Sequence, residues 1–402
     1  MLTIPLRARP VSPAVAGLPF ATEALPAANL LVLGTGVVGS EVVRQAQLLA
    51  RTPRLAGAGV RLVGLANSRS AIFDRRGIGA ADAADLCRPR PASRLPTPFD
   101  VAAWRTQLAT LATLPGAVLV DCTDASGMEV VYEEALARGV HVVTANKEPL
   151  VANLERIGRV KAAAARSGAQ LRYEATVGAG LPIVRTLQSL VRTGDRVGVI
   201  DCAVSGTLAF LTDAIRRKVP LSRALEEAVA GGLTEPDPHI DLSGLDVARK
   251  AVVLARELGA PVELDEVTVT PFVPQAVLDD VAAGGLAALR RHDAACAEHF
   301  ARIAAGGRKP AYLARIIVEH LPSRRVNAHA IVGLVGVDRR HPAATLAAGS
   351  ASVAFYTDRY GPEPLVIQGA GAGGAVTAGA MLADVLELAQ TRPRRVCLGP
   401  AA

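Results

Sequence analysis

The densest run of reactive side chains in this 402-residue chain is Gly232-Leu233-Thr234-Glu235-Pro236-Asp237-Pro238-His239-Ile240-Asp241-Leu242-Ser243-Gly244-Leu245-Asp246-Val247-Ala248-Arg249-Lys250. Asp246 and Lys250 stand one helical turn apart, so their side chains are neighbours. By itself that spacing describes a surface ion pair worth about 0.2–0.5 kcal/mol. Glu235, Asp237 and Asp241 in the loop just before it shift the balance. Several carboxylates around one ammonium suit a small zwitterionic substrate, with the acids gripping an amino group while the lysine handles a proton. A hydride arriving at an aldehyde carbon leaves alkoxide charge on oxygen, which needs a donor at that oxygen. A lysine serves when burial or a neighbouring cation lowers its pKa. Lys147, one of only five lysines, is the candidate neighbour.

Two prolines stiffen the loop, and Ser243 or Asp241 is placed to cap a helix running to about Leu258, before Gly259 and Pro261. Leu245, Ala248, Val252 and Ala255 form its apolar stripe, while Asp246, Lys250, Val253 and Glu257 share another face.

A nucleotide is the natural source of hydride, and the chain carries a turn suited to one. The apolar run Asn29-Leu30-Leu31-Val32-Leu33 meets Gly34-Thr35-Gly36-Val37-Val38-Gly39 and then a segment of helical period. Gly34 permits the tight turn, Gly36 lets backbone approach a pyrophosphate, and Gly39 lets the helix lie close to the strand. Phosphates would sit at the positive end of that helix, beside Val37 and Val38. A second strand, Val60 to Ala66, ends in Asn67-Ser68-Arg69 without the acidic residue that holds a ribose 2′-hydroxyl in NAD sites. Arg69 suits a 2′-phosphate, or is an ordinary loop arginine. Both readings stand, and both NADP and NAD remain open.

Residues 70 to 116 are polar, proline-rich and poorly periodic. Two further strand segments follow, Ala117 to Asp124 and Val140 to Lys147, with a helix from Glu129 to Arg138 between them. Thr123 and Lys147 sit at their carboxyl ends, beyond which ligands of parallel sheets bind. From about 151 the character changes, and alternating helices and strands without a second nucleotide fingerprint indicate a separate α/β domain. Near the carboxyl end, Pro364 to Thr377 reads as strand, glycine turn and a helix to about Ala389. That turn is either a tight packing turn or one whose bare backbone, at Gly373 for example, lies against the nicotinamide.

The expected architecture is therefore α/β. A Rossmann-type parallel-sheet nucleotide-binding domain spans 29–150 and a separate α/β substrate domain follows at 151–364, with a loose leader at 1–28 and a tail at 391–402.

Composition narrows the alternatives. The excess of +7 is dispersed arginine, with only 3% aromatics, which argues against a nucleic-acid surface. Five well-separated cysteines argue against a disulfide scaffold and fit a reducing, cytoplasmic compartment. The uncharged stretch from Pro364 to Ala383 holds five glycines, so it reads as strand, turn and helix rather than a membrane span.

Several segments together resemble the homoserine dehydrogenase family. They are Gly34 to Gly39, Thr144-Ala145-Asn146-Lys147, Glu174 to Pro182, Ser205-Gly206-Thr207, Thr234 to Lys250 and Gly369 to Gly373, in the family's order. The resemblance implies NAD(P)-dependent interconversion of L-homoserine and L-aspartate 4-semialdehyde, in threonine and methionine synthesis, by a homodimer. It implies that 365–390 complete the nucleotide-binding domain and that 151–364 form a catalytic and dimerisation domain, with proton-handling roles for Lys250 and Lys147 and substrate binding by Glu235, Asp241 and Asp246. Thr123, Lys147 and Gly373 would join Gly34, Gly36, Val37, Val38, Gly39 and Arg69 at the cofactor. It also implies a monovalent cation, Na or K, near Glu174, Val177, Ala179 and Leu181, whose backbone carbonyls would be presented by an extended run. His239-Ile240 departs from the family's usual Arg-Asp. No regulatory module is expected after the final glycine segment, and hence no feedback inhibition through one. Two other readings stay open: a dehydrogenase of another aspartate-derived amino acid, and a non-catalytic nicotinamide-binding scaffold.

Overall fold

A computed structural model describes residues 28–51, 59–88, 101–234, 238–322 and 325–390. The expected leader up to residue 27, the tail 391–402 and the acidic residues Glu235 and Asp237 lie outside the described residues.

The first half comprises β1 (Ala28–Leu33), α1 (Val37–Arg51), β2 (Val60–Ala66), β3 (Ala71–Phe73), α2 (Ala80–Cys87), α3 (Val101–Ala112), β4 (Ala117–Asp121), α4 (Met128–Ala137), β5 (His141–Thr144), α5 (Leu154–Ser167) and β6 (Leu171–Arg172). The strands form one sheet in the order β3-β2-β1-β4-β5-β6. β2, β1, β4, β5 and β6 run parallel, while β3 returns antiparallel at the edge. That edge, together with α2 and α3, is structure the poorly periodic stretch 70 to 116 did not disclose. β3 reverses direction because Asn67 closes a tight turn, its Oδ1 accepting the Arg69 and Ser70 amides at 2.9 Å each. β1 is buried along its whole length, as an all-apolar run covered on both faces must be.

The second half comprises α6 (Ile183–Arg192), β7 (Val197–Ala203), α7 (Gly206–Arg216), α8 (Leu221–Ala230), α9 (Pro238–Ser243), α10 (Leu245–Glu257), β8 (Thr268–Val269), α11 (Gln275–Gly284), α12 (Asp293–Ile303), β9 (Lys309–His320), β10 (Val326–Val337), β11 (Ser350–Thr357), β12 (Leu365–Ala370) and α13 (Gly374–Gln390). Its sheet has the order β12-β11-β7-β9-β10-β8, antiparallel except for the short β10–β8 pair. Helices cover one face, and α10 packs there with Val247, Ala248, Ala251, Val252, Leu254 and Ala255 all buried. The other face shows Ile317, Ile331, Val335 and Val366, each at least 39% exposed.

Two cores hold the halves in place. Leu31, Tyr132, Ile157, Leu187, Val252 and Phe355 belong to one continuous cluster that runs from the first sheet into the second. The second cluster joins Leu30 and Val32 of β1 to Val42, Val43 and Ala46 of α1 and to Ala378, Met381, Leu382, Val385 and Leu388 of α13. The last helix of the chain thus lies on the first. Each such fully buried Leu or Val contributes about 1.5–3 kcal/mol. No helix among the described residues is long and apolar enough to cross a membrane.

Candidate active site

The turn between β1 and α1 divides its glycines by role. Gly34 has φ +87°, and a Cβ there would press on the Cys122 carbonyl at 2.9 Å. A Cβ on Gly39 would collide with the Gly34 carbonyl, so only glycine lets α1 lie this close to the strand. Gly36 is exposed and faces open space, with nothing within 4 Å of where its Cβ would be. Backbone amides at the start of α1 are therefore open to an anion. Val37 is 77% exposed and Val38 half-buried beside them. Asn67 reaches back to the Thr35 hydroxyl at 3.0 Å, and its turn presents the exposed Arg69 at the end of β2. These features fit a dinucleotide.

A second helix start joins this one. Gly374, first residue of α13, packs on Val37, where a Cβ would come within 3.0 Å of the Val37 carbonyl oxygen. Exposed Gly373 precedes it at φ +124°. The two amino-terminal ends, distant in sequence, thus stand side by side.

The loops after β4 and β5 form the next wall. Asp121, fully buried, accepts the Thr123 amide at 2.8 Å and its hydroxyl at 2.7 Å. Burial pushes the Asp121 carboxyl up, against the donors Tyr132, Thr123 and Asn146. Asn146 donates to the Ala125 carbonyl at 2.8 Å and accepts the Glu148 amide at 3.0 Å, clamping the two loops together. Thr123 and Lys147 emerge from this clamp, both half-buried.

Opposite stands α10. Asp246 Oδ2 lies 2.6 Å from Lys250 Nζ, and Asp246 Oδ1 lies 3.3 Å from Lys147 Nζ. Lys250 also donates to the Val204 carbonyl at 2.7 Å, at the end of β7. Burial alone would raise the Asp246 carboxyl. The Lys250 and then the Lys147 ammonium outweigh that and hold it far below the usual carboxylate range. One carboxylate thus bridges two ammonium groups carried by different halves of the fold. A second cross-link, Arg249 to Glu148 at 2.6 Å, runs parallel to it. A third is Arg256, whose buried guanidinium donates to the carbonyls of Leu150, Ala152 and Val262 and pairs with Glu263 at 2.8 Å.

Local geometry around α10 departs from expectation in three ways. The proline-stiffened loop becomes a short helix at Pro238–Ser243. α10 starts after Gly244 rather than from a Ser243 or Asp241 cap. Gly244 has φ +77°, and a Cβ there would collide with the Tyr312 hydroxyl, so packing sets the break. Ser243 still accepts the Leu245 amide at 3.3 Å. Leu245 is 37% exposed and outside the buried stripe. Asp241 is buried on α9, and Glu235 lies outside the described residues.

The stretch from Glu174 to Leu181 is not the extended run expected for a cation. Glu174–Thr176 is a 3-10 turn, and Gly178 and Ala179 take left-handed φ of +76° and +56°. The Glu174 carboxylate is spent on the Val184 and Arg185 amides and the Arg185 guanidinium at 2.8–3.0 Å. Val177 and Ala179 are buried, and the half-buried Leu181 has a carbonyl that already accepts the Ile183 amide. Only backbone oxygens are left to offer a cation there. Among the described residues no cluster of His, Cys, Asp and Glu has the form of a metal site.

The structure brings together Lys147, Asp246 and Lys250, and separately Gly34, Gly36, Val37, Val38 and Gly39 with Gly373. Sequence reasoning gave no role to Asp121, Tyr132 or Asn146, although Asp121 lies in a strand and Asn146 in a motif it used, and it gave no sign of buried Arg256.

Comparisons with known proteins agree with this geometry. Residues 34–174 match the family model "Homoserine dehydrogenase, NAD binding domain", and residues 182–386 match the model "Homoserine dehydrogenase". The chain is 34% identical over 383 residues to a homoserine dehydrogenase of Emericella nidulans, covering 89% of this chain and 97% of that protein. It is 33% identical over 373 residues to a chloroplastic bifunctional aspartokinase/homoserine dehydrogenase of Daucus carota, covering 89% of this chain. It spans 38% of that relative's length. A hyperthermophilic archaeal homoserine dehydrogenase solved with NADPH shares the fold, with a TM-score of 0.67 and 19% identity over 91% of this chain and 98% of that one.

Proposed function

The chain belongs to the homoserine dehydrogenase family, and from that membership we propose that it interconverts L-homoserine and L-aspartate 4-semialdehyde by hydride transfer with NADP or NAD, in threonine and methionine synthesis. The observation that carries the reading is the single carboxylate, Asp246, holding Lys250 and Lys147 at 2.6 and 3.3 Å across the two halves of the fold. Neither another aspartate-derived substrate nor a non-catalytic scaffold is favoured by any feature of the site.

When bound, the nicotinamide cofactor supplies or takes the hydride. Gly34, Gly36, Val37, Val38 and Gly39 would hold its phosphates, Thr123 and Lys147 its nicotinamide side, Gly373 the opposite wall, and Arg69 a 2′-phosphate. The NADPH bound by the archaeal protein of the same fold is in keeping with NADP as the cofactor. Lys250 has two of its three N–H bonds fixed by Val204 and Asp246, which leaves the third for the substrate oxygen. In the reducing direction Lys250 gives that proton to the oxygen as charge develops there, and in the reverse direction the neutral amine takes it back. Asp246 is a carboxylate while both ammonium groups hold its pKa down, and the Lys147 ammonium at 3.3 Å stays beside it when Lys250 is neutral. Glu235 and Asp241 are the further acids we assign to the substrate ammonium. The test is absorbance at the reduced-nicotinamide band with homoserine plus NADP or NAD. Absence of any change with either cofactor would sink the reading.

The same proposal divides the chain into a nucleotide-binding domain at 29–150 completed by 365–390 and a catalytic and dimerisation domain at 151–364. The exposed sheet face with Ile317, Ile331 and Val335 would then be the homodimer contact. Ile331→Asp should convert a dimer to a monomer by light scattering. A Na or K ion at the backbone oxygens of Glu174, Val177, Ala179 and Leu181 is part of the reading, since a hard cation takes oxygen ligands. Activity unchanged between potassium and tetramethylammonium buffers would remove it. A cytoplasmic setting suits the free thiols of Cys87, Cys122, Cys202 and Cys296, and cell fractionation checks it.

A further inference from the structure

We infer that Tyr132, buried beneath the cofactor side of the site, is a positioning residue for Lys147, because its hydroxyl bridges the ends of the two strands whose loops carry Thr123 and Lys147. The inference rests on the reading above that Lys147 serves the site.

The ring of Tyr132 comes from α4 and is completely buried. Its hydroxyl lies 2.6 Å from Asp121 Oδ2 at the end of β4 and 2.7 Å from Thr144 Oγ1 at the end of β5. Each end passes the constraint on. Asp121 Oδ1 fixes the Thr123 amide and hydroxyl, and Thr144 Oγ1 accepts the Asn146 amide at 2.8 Å, one residue before Lys147. One hydroxyl therefore spans both loops.

The acceptor count explains why its removal would travel. Asp121 Oδ2 has Tyr132 as its close donor, and its other neighbour, Asn146 Nδ2, stands at 3.4 Å while donating to the Ala125 carbonyl at 2.8 Å. A fully buried carboxylate oxygen does not stay without a donor. With the hydroxyl gone, the donor left to that oxygen is the second N–H of the Asn146 amide, already turned toward it at 3.4 Å. Closing that gap while the first N–H stays on the Ala125 carbonyl draws the 145–148 turn toward Asp121, which carries Lys147 away from Asp246. Misplacement of a catalytic group by about 1 Å can cost up to 100-fold in rate.

Tyr132→Phe keeps the ring and deletes only the hydroxyl. We expect kcat to fall about ten-fold or more and the Kd for NADPH, read by its fluorescence, to rise several-fold. The same change made in a Lys147→Met background should leave kcat where Lys147→Met alone puts it, because the hydroxyl acts through that lysine. Unchanged kcat and Kd with only a lower melting temperature would overturn the inference, as would a full additional loss in the Lys147→Met background. Should Tyr132→Phe not fold, Thr144→Val removes the oxygen that accepts both the Tyr132 hydroxyl and, at 2.8 Å, the Asn146 amide next to Lys147, and carries the same expectations. If the wild-type protein binds NADPH but turns over no homoserine, the proposed activity fails alone, and the Kd comparison still decides the role of Tyr132.

Discussion

Two strand–glycine–helix units stand near opposite ends of the chain, β1 to α1 and β12 to α13, and the structure uses them in different ways. β1 is buried along its length at the centre of a parallel sheet, while β12 is an edge strand with alternate residues exposed. Neither Gly36 in the first turn nor Gly371 in the second has a positive φ, so backbone strain does not distinguish them. Space does. Nothing lies within 4 Å of a Cβ on Gly36, whereas one on Gly371 would meet the Ala351 Cβ at 2.7 Å and its amide nitrogen at 2.8 Å. At Gly36 the first turn faces open space, and at Gly371 the second is filled by the protein itself. A glycine motif therefore reports close approach of backbone without saying what approaches.

If Gly36 serves the cofactor and Gly371 the packing of the fold, the chemistry should be separable from both. Lys250→Ala is the largest expected effect: turnover falls by several orders of magnitude while NADPH still binds, measured by initial rates and fluorescence titration. Near-normal turnover would contradict the role given to Lys250. The contrast between the turns comes next. Gly36→Ala should leave the melting temperature almost unchanged, since surface substitutions usually stay within about 0.5 kcal/mol, yet raise the NADPH Kd about ten-fold or more. Gly371→Ala should do the reverse, costing about 1–3 kcal/mol by overpacking with a smaller change in Kd. Equal behaviour of the two variants would erase the distinction.

The smallest effect concerns the anchor of α13. Asp384, buried beside Glu174 and Arg185, has its carboxyl pushed up by burial from 3.8 to about 6. Between those values the folded protein binds more protons than the unfolded chain, so this group's contribution to stability falls as pH rises from about 4 to 6. Asp384→Asn should flatten the pH dependence of the melting temperature in that window. An unchanged slope would mean that the Asp384 carboxyl does not titrate there.

How much of this was legible varied with distance along the chain. The Asp246–Lys250 contact was readable because helical geometry alone brings residues four apart together. The glycine turn was readable because strand, turn and helix are contiguous. Tyr132 looked like any other apolar position on a helix, since its bridging contacts come from Asp121 on one strand and Thr144 on another. Arg256 was hidden among 39 arginines dispersed along the chain, and the carbonyls of Leu150, Ala152 and Val262 distinguish it. The expected extended run at Glu174 to Leu181 became a turn because Gly178 and Ala179 took left-handed conformations, and Ala179 gave no local warning.

The amino-acid order by itself determined the two glycine turns, the strand and helix on either side of each, and which residue types were within reach of one another along one element, because those depend on backbone preferences acting over a few residues. Only the tertiary structure decided that Lys147 would share Asp246 with Lys250, that α13 would lie on α1, and which glycine would face open space. Those outcomes depend on burying apolar faces of distant segments against each other, and a chain's local preferences are nearly blind to which faces will meet.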